Sequence, residues 1–235
     1  MRRQVAMILT CLCCVASMYA KKHKEPLINY GAKTGFSSTI YEVNSLQVSG
    51  MPINEYISKS EISSFYTLFA RINIKQSHYL QTEASYNISN YTIAFPTQQW
   101  KPTAPLQETS SISTKIIGFE IPLFYGYHVL KEGPYGMSFY AGPKAKFTLT
   151  NQSNHQFENL TYTSITESIR PINFSLMVGM GVNIQRVFFD FSFEYGLHNI
   201  SKGFVTTNEY GDAHSEDFVF DRRKNVLSFS VGFMF

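Results

Sequence analysis

The chain has three cysteines, and all of them, Cys11, Cys13 and Cys14, lie close to its start. Everything after them therefore offers no disulfide framework, no thiolate metal site and no thiol nucleophile. No later run reaches the roughly 18 consecutive apolar residues of a membrane helix, which excludes a helical membrane protein. Charge is sparse as well: 20 Lys and Arg stand against 17 Asp and Glu. With Arg2 and Arg3 set apart in the leading segment, the remainder is close to neutral, so nucleic acid is not an expected partner. Tryptophan occurs once, at Trp100, whereas 15 Tyr and 20 Phe are present. Such an aromatic excess suits β-structure and the interfacial girdles of a membrane barrel.

What is there begins with Met1-Arg-Arg, an apolar run from Val5 to about Val15, and small residues at Ala16, Ser17 and Ala20. That order is the charged, apolar and small-residue order of a secretory signal peptide. We assign residues 1–20 to it, with cleavage after Ser17 as the alternative and a buried N-terminal helix as the competing structural reading. Residues 21–27, including the basic Lys21-Lys22-His23-Lys24, are expected to form a short periplasmic arm. Residues 28–235 are expected to form one barrel domain.

The strongest pattern is at the other end. Leu227, Phe229, Val231, Phe233 and Phe235 share one parity; Val226, Ser228, Ser230, Gly232 and Met234 share the other. This is a period-2 strand with one aromatic face and one small, mostly polar face. Seven further segments alternate in the same way, at about 28–39, 64–74, 79–88, 113–129, 135–148, 171–182 and 187–200. In the seventh, Phe189, Phe191, Phe193, Tyr195 and Leu197 oppose Asp190, Ser192, Glu194, Gly196 and His198. Connector lengths carry a second signal. Short turns near residues 75–77, 131–134 and 183–186 alternate strictly with long polar stretches at 40–62, 89–112, 149–170 and 201–222. An even-stranded up-and-down barrel with short periplasmic turns and long extracellular loops produces that order. The fold class predicted is all-β: an eight-stranded antiparallel up-and-down transmembrane barrel in the bacterial outer membrane.

Alternation alone does not decide which face points inward. In a secreted lipocalin-like barrel the apolar face would line a ligand cavity. Here the polar face is rich in Gly, Ser, Asn and Gln and poor in the Lys and Glu that solvate an exposed sheet, so the apolar face is assigned to outer-membrane lipid. The charges assigned to the inward face balance: Lys33, Arg71, Lys144 and Lys146 against Glu83, Glu120, Asp190 and Glu194. Reflection across the short turns sets Arg71 near Gln81 or Glu83 and Glu120 near Lys144 or Lys146. Pairing across the ladder would form a salt-bridged plug, because eight strands leave an interior only just wide enough for side chains. A narrow channel or transporter for small solutes is the alternative.

These segments resemble the PorT-like small outer-membrane β-barrel family of the Bacteroidetes. The residues that carry the likeness are Tyr30-Gly-Ala-Lys-Thr-Gly35, Tyr79-Leu-Gln-Thr-Glu-Ala-Ser-Tyr86, Phe119-Glu-Ile-Pro-Leu123 and Ala141-Gly-Pro143. They continue with Val178-Gly-Met-Gly-Val182, Phe189-Asp-Phe-Ser-Phe-Glu-Tyr-Gly-Leu197 and the Ser230-Val-Gly-Phe-Met-Phe235 ending. The resemblance implies an eight-stranded outer-membrane barrel without a common chemistry, and for some members a link to protein secretion. The terminal aromatics Phe233 and Phe235 look like the assembly signal that such barrels present to the barrel-insertion machinery, a second expected partner. Pro122 and Pro143 fall inside strands, where each removes a ladder donor, so a bulge or kink is expected at each.

Chemistry is thin. His198, Ser201, Asp212, His214 and Asp217 lie at or beyond the outer end of the seventh strand, where an outer-membrane enzyme could carry a rim site. Their spacing is not diagnostic, and no enzymatic activity is expected. His214 among Asp212, Glu216 and Asp217 has no fixed metal-ligand spacing, so neither metal nor cofactor is expected. Asn-x-Ser/Thr triplets begin at Asn87, Asn90, Asn151, Asn159, Asn173 and Asn199. For Asn87 and Asn173, on the inward face, the triplet is compositional. The long loops, rich in Tyr, hydroxyl and amide groups, are expected to bind a protein or glycan partner or to serve assembly.

Overall fold

The computed structural model describes residues 27–235 except 49, 61, 75–76, 100, 106–107, 133, 150–151, 155, 159–161, 200, 209–212 and 215–217. The segment expected to be signal peptide and all of the expected arm but Leu27, together with Trp100, Asn151, Asn159, Asp212, Glu216 and Asp217, lie outside the described residues. Eight long strands form the wall: β1 (Ile28–Val48), β2 (Ile62–Asn73), β3 (His78–Pro96), β4 (Thr109–Glu132), β5 (Tyr135–Thr148), β6 (Ile172–Ile184), β7 (Val187–Gly196) and β8 (Phe218–Met234). Each pairs antiparallel with the next, and β1 pairs with β8 from Gly31–Met234 to Val48–Phe218, which closes the ring. The closure reaches the last residue, where the Phe235 N–H donates to the Tyr30 carbonyl at 2.9 Å. No strand of this wall is left with an open edge, the condition for crossing lipid.

The faces follow the period-2 pattern. Phe36, Tyr66, Leu68, Leu123, Tyr125, Phe174, Leu176, Phe191 and Phe229 stand exposed on the outside. Lys33, Arg71, Glu83, Glu120, Asp190, Glu194 and many serines are buried inside. Exposed aliphatic and aromatic side chains around a whole sheet would be costly in water and are favourable in hydrocarbon.

Three features differ from the sequence expectation. First, the long polar stretches are largely β-structure. About 9–11 residues cross a bilayer, whereas β1 has 21, β3 has 19, β4 has 24 and β8 has 17. The strands therefore project well past the membrane on one side. There the short strands Met51–Pro52, Ile57–Ser60 and Gln156–Glu158 add to β1, β3 and β4. A separate four-stranded antiparallel sheet forms in the order Ala213–His214, Ser201–Asn208, Tyr162–Ile169 and Gln152–Asn154. The first two connectors are tied together by Gln99, whose Oε1 accepts from the backbone N–H groups of Asn54 and Glu55 at 2.9 and 3.2 Å and whose Nε2 donates to the Glu55 carbonyl at 2.8 Å.

Second, neither proline shifts the register. Pairing of β3 with β4 lapses between Thr82–Leu123 and Ser85–Glu120, and pairing of β4 with β5 lapses between Pro122–Lys144 and Tyr125–Ala141. Both ladders resume in the same register, and the Thr82 hydroxyl donates to the Pro122 carbonyl at 3.1 Å. The register shifts fall elsewhere, at His128/Leu130 in β4 and Val43/Ser45 in β1.

Third, the shift in β1 exchanges the parity of its inward face. Below it Lys33 and Ser37 are buried; above it Leu46 and Val48 are. With Ile53, Phe95 and Ala104, also buried, these residues bring apolar side chains inside the projecting part of the barrel, where Thr97, Ser110 and Arg222 are buried as well.

Candidate functional site

Among the described residues, the lumen gathers charged and polar side chains from every direction. At the end with the short turns, which faces the periplasm in barrels of this kind, aromatic rings fill it. Tyr79, Phe124, Tyr140 and Met177 form a buried cluster, and Phe69 packs edge-on against Phe188 with ring centroids 5.2 Å apart. Glycines on facing strands make the room. A Cβ at Gly126 would run into the Tyr79 ring, one at Gly31 would meet Phe69 Cζ at 2.6 Å, and one at Gly232 would strike Phe188. These three glycines are thus sockets for inward aromatics.

A continuous polar chain runs beside these rings. The Arg71 guanidinium lies 4.2 Å from the centre of the Tyr79 ring, a cation–π distance. Its Nε donates to Gln81 Oε1 at 2.7 Å, and Gln81 Nε2 donates to Glu83 Oε1 at 2.6 Å. Lys33 Nζ then bridges two carboxylates, Glu83 Oε1 at 2.7 Å and Asp190 Oδ2 at 3.0 Å. Five side chains from four strands, β1, β2, β3 and β7, are linked in this way.

A second cluster lies toward the outer side. Lys144 pairs with Glu120 and, at 2.9 Å, with Glu194 Oε2. Lys146 pairs with Glu194 and reaches Glu120 Oε1 at 3.7 Å. Each carboxylate is shared by both amines, so β4, β5 and β7 are bound together by a two-by-two set of charges. Charge-assisted bonds in low dielectric are strong when every partner is present and costly when one is missing. Of the eight residues assigned to the inward face by parity, six are buried and Lys144 and Lys146 are half-buried; Arg71 meets Gln81 rather than a carboxylate, and the other seven divide between the two belts.

Sequence reasoning missed Lys224 and Arg222. Lys224 points inward beside the outer belt, where its Nζ donates to Ser89 Oγ at 3.3 Å, and Arg222 is fully buried. Both lie below residue 226, where the alternation had been taken to begin; their parity with Val226 and Ser228 was the available signal. Two small cavities border the belts. One cavity of about 50 Å³ lies between the outer belt and Asn87, Asn173 and His198, and one of about 30 Å³ lies between the two belts.

Of the rim residues, His198, Ser201 and His214 are described. Ser201 and His214 occupy strands of the separate sheet, and His198, exposed, stacks edge-on with Phe174 at 6.4 Å between ring centroids. Among the described residues no group of three His, Cys, Asp or Glu could hold a metal ion. Phe233 and Phe235 pack against one another with centroids 5.7 Å apart, and Phe235 also meets Tyr30 at 5.9 Å, at the seam between first and last strands.

Comparison with known proteins agrees with this architecture. OprG of Pseudomonas aeruginosa, an outer membrane protein, is similar over 88% of this chain and 95% of its own, with 9% identity and a TM-score of 0.53. A major outer membrane protein of Thermus thermophilus is similar over 87% and 99%, with 12% identity and a TM-score of 0.48. No curated protein sequence matches. The outer membrane protease OmpT of Escherichia coli is also similar in structure, over 88% of this chain and 96% of its own, at 9% identity and a TM-score of 0.44. That finding stands against the expectation of no enzymatic activity, since this structural neighbour is an enzyme. A likeness of that degree assigns no activity to this chain. Residues 21–202 match the family described as outer membrane protein beta-barrel domain, most of the chain. The chain belongs to that family and is an integral eight-stranded β-barrel of the bacterial outer membrane.

Proposed function

We propose that this barrel is a closed scaffold that presents a β-structured extracellular platform to a protein or glycan partner. The observation that carries the reading is the filled lumen. Aromatic rings and two charged belts occupy the lumen, and the two cavities that border the belts measure only about 50 and 30 Å³. A solute pathway needs a continuous opening, and neither cavity has the volume of one. The outer strands, by contrast, are built up far beyond what closing four hairpins needs, and loops on a rigid scaffold commonly carry recognition. Within the family we place the chain nearest the PorT-like barrels, on the ordered set of segments from Tyr30 to Phe235, with assembly in a secretion-related complex as one form of that recognition. We assign Phe233 and Phe235 the role of assembly signal.

Single-channel recording in planar bilayers tests the closed lumen. The wild-type barrel should give no stable conductance steps, and the variant with Phe69, Tyr79, Phe124 and Tyr140 all changed to Ala should give them. Steady ohmic conductance from the wild-type protein would overturn the reading in favour of a channel.

A further inference from the structure

The outer belt contains one more cation than its ion pairs use. Lys144 and Lys146 share both carboxylates, Glu120 and Glu194, in the four contacts described above. Lys224 is a third amine beside them, half-buried; its Nζ contacts Ser89 Oγ at 3.3 Å and forms no ion pair with a described carboxylate. Three positive groups less two negative ones leave a formal surplus of one positive charge. A surplus charge in such an interior is costly unless something of opposite sign lies against it.

The cavity of about 50 Å³ lies at this point, with Lys146, Lys224, Glu120, Glu194 and Ser175 in its wall. It is roomier than the roughly 10–15 Å³ that one water requires. Two further groups in its wall carry buried polar atoms without a hydrogen-bond partner: Ser175 Oγ, in a residue 3% exposed, and Asn173 Oδ1, in a residue 9% exposed. Buried polar atoms without partners are uncommon in folded proteins and point to a bound water or ion.

We propose that this cavity binds one small monovalent inorganic anion of the halide class. The Lys224 and Lys146 ammonium groups supply its countercharge, the Ser175 hydroxyl donates to it, and Asn173 Oδ1 accepts from a water in its shell. Glu120 and Glu194 face the same space and set the limit: a divalent phosphate or sulfate carries more negative charge than the surplus balances. The volume excludes sugars, nucleotides and organic phosphates.

Bromide tests the site. In crystals of the whole barrel soaked in sodium bromide, an anomalous bromine peak is expected in the cavity within contact of Lys224 Nζ, and it should vanish in Lys224→Met. In solution, the thermal midpoint of the wild-type barrel should be higher in sodium chloride than in sodium gluconate or sodium sulfate of equal ionic strength. Lys224→Met should abolish that anion preference and Ser175→Ala should reduce it. Should Lys224→Met fail to show the gel mobility of a folded barrel, Ser175→Ala carries the comparison. A wild-type cavity without bromine density, or equal midpoints in chloride, gluconate and sulfate, overturns the proposal.

Discussion

At the scale of single residues, the lumen charges are positioned by parity and held by one another. Lys33 shows what this arrangement risks. Its ammonium is the only described group bridging Glu83 and Asp190, both nearly devoid of solvent contact. Changing Lys33 to Met keeps the stem and removes the charge, leaving two carboxylates facing each other in the interior. Breaking a buried pair by deleting one partner typically costs about 3–5 kcal/mol, because the remaining charge is uncompensated. Urea unfolding of Lys33→Met in lipid vesicles, followed by circular dichroism, should show a loss of that size. The triple variant Lys33→Met, Glu83→Gln, Asp190→Asn should recover most of it. Equal losses in the single and triple variants would mean that the ammonium contributes through packing and not through charge. These charged positions were readable in advance because each sits in a segment with intact alternation. Lys224 and Arg222 were not, since they occupy the stretch of β8 where the outward residues, Asp221 and Arg223, have ceased to be apolar.

At the scale of elements, the same loss of contrast explains which strands were legible. Within the membrane one face must be apolar, so the period of two is written strongly in β6, β7 and the end of β8. Past the lipid boundary neither face is obliged to be greasy, and the projecting halves of β1, β3 and β4 read as polar loop. The register shift at Val43/Ser45 hides β1 further, by moving the inward face from odd to even positions. The prolines were read correctly as lost donors, but the ladders simply skip them. A local prediction concerns the sockets. Gly126 on β4 faces the Tyr79 ring on β3, and even a methyl group there has no space. Gly126→Val should therefore destabilise the barrel by about 1–3 kcal/mol, as overpacking does, and Tyr79→Ala in the same chain should relieve it. Midpoints of urea unfolding for the single and double variants decide between overpacking and a loss of strand propensity. The terminal strand offers a second. If Phe235 and Phe233 serve insertion, Phe235→Ser should lower the amount of folded barrel recovered from the outer membrane. The same variant refolded in vesicles should reach nearly wild-type stability, since its ring packs only at the exposed seam.

At the scale of the whole molecule, the barrel wall and the outer sheet are contributed by different parts of the chain. The wall is continuous from Ile28 to Met234, whereas the sheet made by Gln152–Asn154, Tyr162–Ile169, Ser201–Asn208 and Ala213–His214 is contributed by two connectors, those between β5 and β6 and between β7 and β8. Every residue of the two charged belts lies on the wall. Replacing residues 150–170 and 198–217 by short turns should consequently leave the ring, its belts and its aromatic sockets in place. The shortened protein should still run faster unboiled than boiled on SDS gels, the behaviour of a folded membrane barrel, and should still fail to conduct in planar bilayers. If the platform is what this protein offers its surroundings, the shortened form should lose crosslinking of the native protein to its neighbours in the intact outer membrane. Shortened barrels that keep the full crosslinking pattern would move recognition down to the wall or the periplasmic turns. Shortened barrels that conduct would mean that the outer sheet, and not the lumen, is what closes the molecule.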